Sequence, residues 1–267
     1  MSTYSKEHEV YLQKIKKEKR IVFFFRLLII VAFLIIWQLL SDLELINTFL
    51  SSSPKEVVLT IYDLLKDNTL FTHIGVTLYE VCISFVVAGI LGFVIALILW
   101  SNKRVAKIID PYLTVLNSLP KVALGPLIII WVGASINSII FMALLISTFV
   151  TIITIYQGFK ETNPSYITLL KSFGANKFQI FTKAVFPSNI PTIISALKIN
   201  ISMNLIGVIM GELLVSKSGI GYLIMYGSQV FNINLVITGV VILGVISYLM
   251  YLVIDCLESY IRKKRGN

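Results

Sequence analysis

Charged side chains are scarce in this sequence. They make up 14% of its 267 residues, whereas 57% of the residues are hydrophobic. A soluble globular domain usually carries about 25% charged residues. The low charge, the mean hydropathy of +0.87 and several apolar runs long enough to cross a bilayer predict an all-α protein with multiple transmembrane helices.

Cysteine and histidine are also rare, with two of each. Cys82 and Cys256 both lie inside apolar runs, so we expect neither a disulfide framework nor a metal site. The histidines, His8 and His73, cannot form a His-Glu-x-x-His zinc motif. We therefore expect no metal and no cofactor.

The sequence lacks the motifs of common catalytic sites. No glycine pattern ends in Gly-Lys-Ser or Gly-Lys-Thr, and there is no Gly-x-Ser-x-Gly elbow. A self-powered pump or a membrane-embedded enzyme would have no visible catalytic residues. We therefore expect a non-enzymatic protein, and if it does work, a separate subunit must supply the energy.

Apolar runs of about 20 residues predict six transmembrane helices, near residues 21–40, 74–100, 108–132, 136–157, 192–215 and 233–260. An even number places both termini on one side. Of the 23 Lys and Arg residues, 17 fall in the two tails and in the loops on the side of the tails. The positive-inside rule makes that side cytoplasmic. Nucleic-acid binding is disfavoured because no segment supplies a folded basic face.

These spans divide the chain into four parts. We predict a cytoplasmic basic tail (1–20), a peripheral first helix with its outer loop (21–50), a core of five helices (51–260) and a second basic tail (261–267). In the outer segment, Ser53 and Pro54 predict the start of a short helix with one apolar face. That helix either rests on the bilayer or docks an extracytoplasmic partner. Its apolar residues are Val57, Val58, Ile61, Leu64 and Leu65.

The core contains a polar cytoplasmic segment, residues 158–191, which we call the signature loop. Asn163 followed by Pro164 is typical of a helix start, and Gly174 of a helix end. Asn176 and Gln179 predict a second short helix, and Pro187 predicts its end. Apolar residues recur at helical spacing in both helices: Ile167, Leu170, Phe173, Phe178, Phe181 and Val185. The pair either lies on lipid headgroups or inserts its apolar stripe into a partner.

The spacing within this loop resembles the signature loop of binding-protein-dependent ABC importer permeases. Their pattern is Glu-Ala-Ala, three residues, Gly, nine residues, an aliphatic residue, one residue, then Leu-Pro. Here Gly174 is followed at those distances by Ala184 and by Phe186-Pro187, while residues 168–170 read Thr-Leu-Leu. The flanking segment 205–224 also looks like the family, and the segment 110–133 is similar to the nitrate, taurine and sulfonate branch. The resemblance extends from about residue 51 to the C-terminus.

The resemblance implies a multi-pass permease of a bacterial plasma (inner) membrane that works as a dimer, most simply of two copies of this chain. It implies two ABC ATPase subunits at the signature loop and a solute-binding protein outside. The solute would be small and organic or anionic, of the nitrate, sulfonate, taurine or thiamine-precursor kind. Two glycines before the last span, Gly219 and Gly221, look like the family's glycine-rich outer turn, here residues 218–222, which leads into a re-entrant segment. The residues expected to couple to the ATPase are Leu170, Phe173, Gly174, Ala175, Phe178, Phe181 and Pro187.

Charges inside apolar spans are costly and therefore indicate function or pairing. Glu212 and Lys121 either line the translocation path or pair between helices, and Glu80 stands where the resemblance implies a basic residue. A pairing of Glu80 with Lys121 is one alternative. Lys198 and Arg26 lie close enough to span ends to extend towards the headgroups.

Proline and glycine interrupt the third span at Pro120, Gly125 and Pro126. Such a break indicates either a pore-lining helix or a simple proline kink. Small residues recur at every fourth position in two spans, which permits other helices to approach closely. They are Gly207 with Gly211 and the run from Ala88 to Ala96, and the pattern does not specify which helices meet.

A channel or secondary carrier remains the rival function, but the paired inverted repeats expected of many carriers are not visible in the sequence.

Overall fold

The structure is a computed structural model that describes residues 6–264, and every regular element in that range is helical. The predicted all-α fold class is confirmed. A 3-10 turn, Lys121–Leu124, precedes α6, and a π-helical turn, Phe181–Val185, joins α9 to α10. The α-helices are α1 Lys6–Asp42, α2 Thr48–Ser51, α3 Pro54–Lys66, α4 Leu70–Ser101, α5 Lys103–Ser118, α6 Gly125–Val132, α7 Ile136–Glu161, α8 Pro164–Ser172, α9 Lys177–Ile180, α10 Phe186–Val215, α11 Ile220–Gln229 and α12 Ile233–Lys264.

Five helical segments of the described chain are long and apolar enough to cross a membrane. They lie in α1, α4, α7, α12 and the continuous stretch Lys177–Val215 that ends in α10. A sixth crossing is formed if the bent pair of Lys103–Ser118 and Lys121–Val132 counts as one span. The predicted count of six agrees with this arrangement.

The third span is broken rather than kinked. Its two parts, α5 and the segment Lys121–Val132, meet at an angle of 84°. Leu119 has an extended backbone, and Pro120 directly precedes the 3-10 turn. Pro126 lies in the first turn of α6, where a missing N–H costs nothing. The alternative of a simple proline kink is therefore wrong.

The first helix extends beyond the predicted span at its N-terminal end. Helix α1 starts at Lys6 and continues without interruption through residue 20, so the basic segment and the first span form one helix. No residue in the apolar window of α1 is buried by the rest of the chain. A link to the core is the hydrogen bond from the N–H of Lys55 to Oε1 of Gln38, at 3.1 Å. The peripheral role of the first helix stays a prediction.

Helices α4, α7 and α10 form the centre of the described bundle, and small residues let them approach closely. A Cβ added to Gly207 would lie 2.5 Å from Cα of Ala143, and one added to Gly211 would lie 2.9 Å from Cα of Ile139. In α4, a Cβ on Gly92 would lie 2.5 Å from Cγ2 of Thr151. The small-residue patterns therefore serve contacts within the subunit.

The outer helix α3 starts as predicted. The hydroxyl of Ser53 accepts a hydrogen bond from the N–H of Glu56, and Pro54 occupies the first turn. Val57 is buried, while Ile61 and Leu64 pack on a buried cluster formed by residues of α4, α11 and α12. The apolar face of α3 is thus turned partly towards the protein core.

Candidate functional site

The first helix of the signature loop is capped as predicted. Oδ1 of Asn163 accepts a hydrogen bond from the N–H of Ser165 at 2.9 Å, and Pro164 lies in the first turn of α8. An N-cap side chain of this kind satisfies a backbone donor that the helix itself leaves unpaired. The start of α8 is therefore determined by local interactions.

Gly174 ends α8 with a φ of 74°, in the left-handed region that favours glycine. Its N–H donates to the carbonyl of Lys171 at 2.9 Å, and the N–H of Ala175 donates to the carbonyl of Leu170 at 3.0 Å. A Cβ added at Gly174 would meet no atom within 4 Å. The glycine is thus required for the direction of the chain and not for space.

The second helix of the loop carries the predicted capping box. The N–H of Asn176 donates to Oε1 of Gln179, and the N–H of Gln179 donates to Oδ1 of Asn176, each at 2.9 Å. The prediction that Pro187 ends this helix is wrong. The helix passes through the π-turn Phe181–Val185 into α10, with Pro187 in the first turn. Local π geometry is one way in which a helix accommodates proline.

The aromatic residues of the loop divide into an inward and an outward group. Phe181 is 8% exposed, and its ring centroid lies 5.3 Å from that of Trp100 and 5.4 Å from that of Phe159. Leu170 and Ala175 pack on the same cluster. The expectation that the side chain of Phe181 contacts a partner must be corrected, because the ring anchors the loop to the ends of α4 and α7.

Phe173 and Phe178 form the outward group. They are 80% and 74% exposed, and they flank Gly174 in sequence. Exposed large apolar side chains held on short capped helices are typical of a surface that contacts another molecule. We call the pair the exposed phenylalanines.

Lys121 does not approach Glu80. Its Nζ donates to the backbone oxygen and to Oδ1 of Asn117, each at 3.2 Å, and lies 5.7 Å from the ring centroid of Phe149. The alternative of a Glu80–Lys121 pair is therefore wrong. Pro120 and Lys121 remain at the bend between α5 and α6, where the span is broken.

Glu212 lies in a closed polar cluster and is 1% exposed. Its Oε1 accepts a hydrogen bond from the hydroxyl of Thr77, and its Oε2 accepts one from the N–H of Gly221, each at 2.6 Å. Glu80, also 1% exposed, hydrogen-bonds to Glu212 through its side chain. Within the chain, Glu212 thus holds the outer turn and does not face open space.

The outer turn is packed against this carboxyl group. Gly219 has a φ of 108°, and a Cβ placed there would collide with the carboxyl group of Glu212. The N–H of Gly219 donates to Nδ1 of His73 at 3.0 Å, and the N–H of Ile220 donates to the hydroxyl oxygen of Thr77 at 2.9 Å. Helix α11 begins at Ile220 within this segment, and its 10 residues are too few to cross a bilayer.

Sequence analysis did not identify Thr77 and His73 as part of this cluster. Thr77 lies one helical turn before Glu80 on α4. A polar residue at that spacing in an apolar helix could have indicated that Thr77 shares a buried face with Glu80.

The prediction that the side chain of Lys198 extends towards the headgroups is wrong. Lys198 forms ion pairs with Asp255 at 2.7 Å and with Glu258 at 2.6 Å, so it joins α10 to α12 instead of extending to the headgroups.

The described side chains include no group of three or more His, Cys, Asp or Glu placed to hold a metal ion. Cys82 and Cys256 are both free.

Comparison with known proteins agrees with this architecture. Residues 88–266 match the family described as "Binding-protein-dependent transport system inner membrane component". The chain is 30% identical to the formylaminopyrimidine transport permease protein ThiX of Halalkalibacterium halodurans over 235 residues, which is 87% of this chain and 93% of ThiX. It is 21% identical to the taurine transport system permease protein TauC of Escherichia coli, over 87% of this chain and 86% of TauC. Its fold is similar to that of a chain in an amino acid ABC transporter crystal structure, with a TM-score of 0.60, 17% identity and coverage of 76% and 97% of the two chains.

Proposed function

We propose a working arrangement for this chain, which belongs to the binding-protein-dependent ABC importer permeases, in the branch that includes the nitrate, taurine and sulfonate permeases. The protein is a multi-pass inner-membrane transport subunit and not an enzyme. Membership of this family implies ATPase and solute-binding partners in general. The remaining assignments concern where those partners bind, how the chain is oriented and what it carries.

The signature loop is the proposed ATPase contact. The observation that carries this assignment is the pair of exposed phenylalanines, Phe173 and Phe178, on two capped helices joined by Gly174. A rigid helix pair with protruding aromatic rings fits a cleft on a partner protein. Phe181 transmits movement of the loop to α4 and α7 through its packing on Trp100 and Phe159.

The translocation path is proposed to run along the broken third span. Irregular backbone at membrane depth is tolerated where it is packed in protein or lines a cavity. Pro120 and Lys121 lie at this break and are therefore proposed to line the translocation path. Glu212 serves the path indirectly, because it fixes Gly219 and Gly221 and with them the start of α11.

The distribution of basic residues supports cytoplasmic termini and a cytoplasmic signature loop. The working unit is proposed to be a homodimer with two ATPase subunits inside and a solute-binding protein outside. The relatives include permeases named for formylaminopyrimidine, taurine and nitrate. A small organic or anionic solute of this kind is the proposed cargo of the present chain.

Reconstitution tests the energy source. Purified alone in proteoliposomes, the chain is expected neither to hydrolyse ATP nor to transport solute. Addition of the ATPase that co-purifies with it, together with loaded binding protein, should give ATP-dependent uptake. The control is an ATPase inactivated in its own ATP site. ATP turnover by the isolated chain would contradict the assignment, and uptake without any ATPase would favour a channel or secondary carrier.

The solute is best identified through the binding protein. A pull-down of the extracytoplasmic partner with its ligand, followed by mass spectrometry of the ligand, should return a small organic or anionic molecule. A large or cationic ligand would contradict the proposed solute class without affecting the ATPase assignment.

A further inference from the structure

Two glutamates meet inside the helix packing. Glu80 on α4 and Glu212 on α10 are each 1% exposed, and their side chains are hydrogen-bonded to each other. Two ionised carboxylates cannot form this hydrogen bond, because an ionised carboxylate has no hydrogen to donate. A direct hydrogen bond between two carboxyl groups therefore requires that one of them carries a proton.

The surroundings of Glu212 identify it as the acceptor. Both of its oxygens already receive hydrogen bonds, from the Thr77 hydroxyl and the Gly221 N–H at 2.6 Å each, and the N–H of Tyr222 is a further donor. Several donors directed at one carboxyl group stabilise its ionised form. Glu212 is thus the carboxylate of the pair.

The surroundings of Glu80 identify it as the acid. Its Oε2 is buried and has no hydrogen-bond partner, so no donor other than its own proton stabilises this group. Among the side chains that the structure describes, no Lys, Arg or His nitrogen lies within ion-pair distance of either glutamate. Two buried negative charges in contact, without a cation, would be strongly unfavourable.

Other titratable groups near the pair are few. From α4 comes His73, whose Nδ1 accepts the N–H of Gly219 and is therefore unprotonated. From α11 comes Tyr222, whose ring stacks on His73 at 5.9 Å. The neighbouring stretches of α6, α7 and α12 (125–132, 136–154 and 233–247) contain no ionisable side chain. None of these groups supplies a compensating positive charge.

We infer that Glu80 and Glu212 form a proton-binding site in which protonated Glu80 donates to the Glu212 carboxylate and thereby fastens the outer turn to α4. The proton is the ligand of this site. Glu212 holds Gly221 directly, and Thr77 links it to the N–H of Ile220, so α4, α10 and α11 meet at one hydrogen-bonded point. Loss of the proton leaves two like charges in contact and releases the turn. This role is additional to transport and does not depend on the identity of the solute or the partners.

Infrared spectroscopy on the purified wild-type chain tests the proton directly. A protonated carboxyl group in a dry environment gives a C=O stretching band separate from that of ionised carboxylates. We expect this band at neutral pH and its loss at strongly alkaline pH. We further expect Glu80→Gln to lack the band, because the amide donates to Glu212 without a titrating proton. Absence of the band from the folded wild type at neutral pH would overturn the inference.

Thermal unfolding supplies a second readout. The folded state keeps a proton that a glutamate of the unfolded chain loses well below neutral pH, so stability should fall as the pH rises until the folded state also releases the proton. We expect a lower melting temperature for wild type at alkaline pH and a smaller decrease for Glu80→Gln. Glu44→Gln, at an exposed glutamate, is the matched control and should behave as wild type. An equal alkaline decrease in all three proteins contradicts the site. If Glu80→Gln does not fold, the infrared band of wild type still decides the question.

Discussion

The signature loop and the outer turn each depend on a glycine with a positive φ, but the space around the two glycines differs. Gly174 has a φ of 74° and open surroundings, whereas Gly219 has a φ of 108° and lies against the carboxyl group of Glu212. At Gly174, a side chain would strain the backbone without meeting another atom. At Gly219, a side chain would both strain the backbone and displace a buried hydrogen-bond acceptor.

The comparison separates two ways of building a functional region in a membrane protein. The signature loop exposes two large aromatic rings and is available to a partner. The outer turn has its polar groups satisfied within the chain, as the hydrogen bonds of Gly219, Ile220 and Gly221 demonstrate. Changes at the tip of the loop should therefore affect assembly, whereas changes at the turn should affect the fold itself.

The largest expected effect lies at Phe181, where the loop joins the core. Phe181→Ala removes a ring packed on Trp100 and Phe159, and a buried Phe→Ala change costs about 3–5 kcal/mol in soluble cores. The matched control is Phe178→Ala, at a ring that is 74% exposed, for which we expect a change within about 0.5 kcal/mol. Thermal unfolding in detergent measures both. Equal melting temperatures would remove the distinction between inward and outward rings.

The next effect concerns the outer turn. Gly219→Ala places a Cβ into the carboxyl group of Glu212 at a positive φ, and overpacking of this kind costs about 1–3 kcal/mol. Gly75→Ala is the matched control on α4, since a Cβ there meets nothing within 4 Å. Alanine in a helix interior is favoured over glycine by about 0.5–1 kcal/mol, so this control should be neutral or stabilising. A Gly219 variant as stable as wild type would contradict the close packing of the turn.

A smaller effect on stability, with a large one on function, is expected at Gly174. Valine reaches this conformation at a cost of roughly 1 kcal/mol or more, so Gly174→Val should redirect α9 and move Phe178 away from the ATPase. The protein should still insert, while uptake and recovery of the ATPase in co-purification fall together. Gly133→Val is the control, because Gly133 has a φ of 88° and equally open surroundings outside the loop. Its ATPase recovery should be unchanged. Normal uptake by Gly174→Val at normal expression would favour a loop that merely lies on headgroups.

Thiol labelling should leave stability unchanged while it locates the two regions on opposite sides. In a chain with Cys82 and Cys256 replaced, Ser172→Cys in the signature loop should react with an impermeant reagent in inverted vesicles. Asp67→Cys, at the exposed end of α3, should react from the outside in intact or outer-membrane-permeabilised cells. The opposite pattern would reverse the orientation inferred from the basic residues.

Local signals in the sequence predicted a large part of the candidate site. Asn163, Gly174 and the pair Asn176 and Gln179 all occupy the capping positions expected of them. Each acts on backbone groups within a few residues, so its effect can be inferred without knowledge of the fold. The exception is Pro187, where a π-turn allows a helix to continue past a residue that usually ends one.

Composition and the length of the apolar runs by themselves determined that this protein is an all-α membrane protein, because a chain this apolar must satisfy its backbone hydrogen bonds within helices. Sequence spacing also identified the family. Tertiary structure decided what periodicity cannot specify: the 84° break in the third span, the inward direction of Phe181 and the meeting of Glu80 with Glu212. The physical reason is that helical periodicity specifies which residues share a face, whereas the partner of that face depends on packing between segments far apart in the chain.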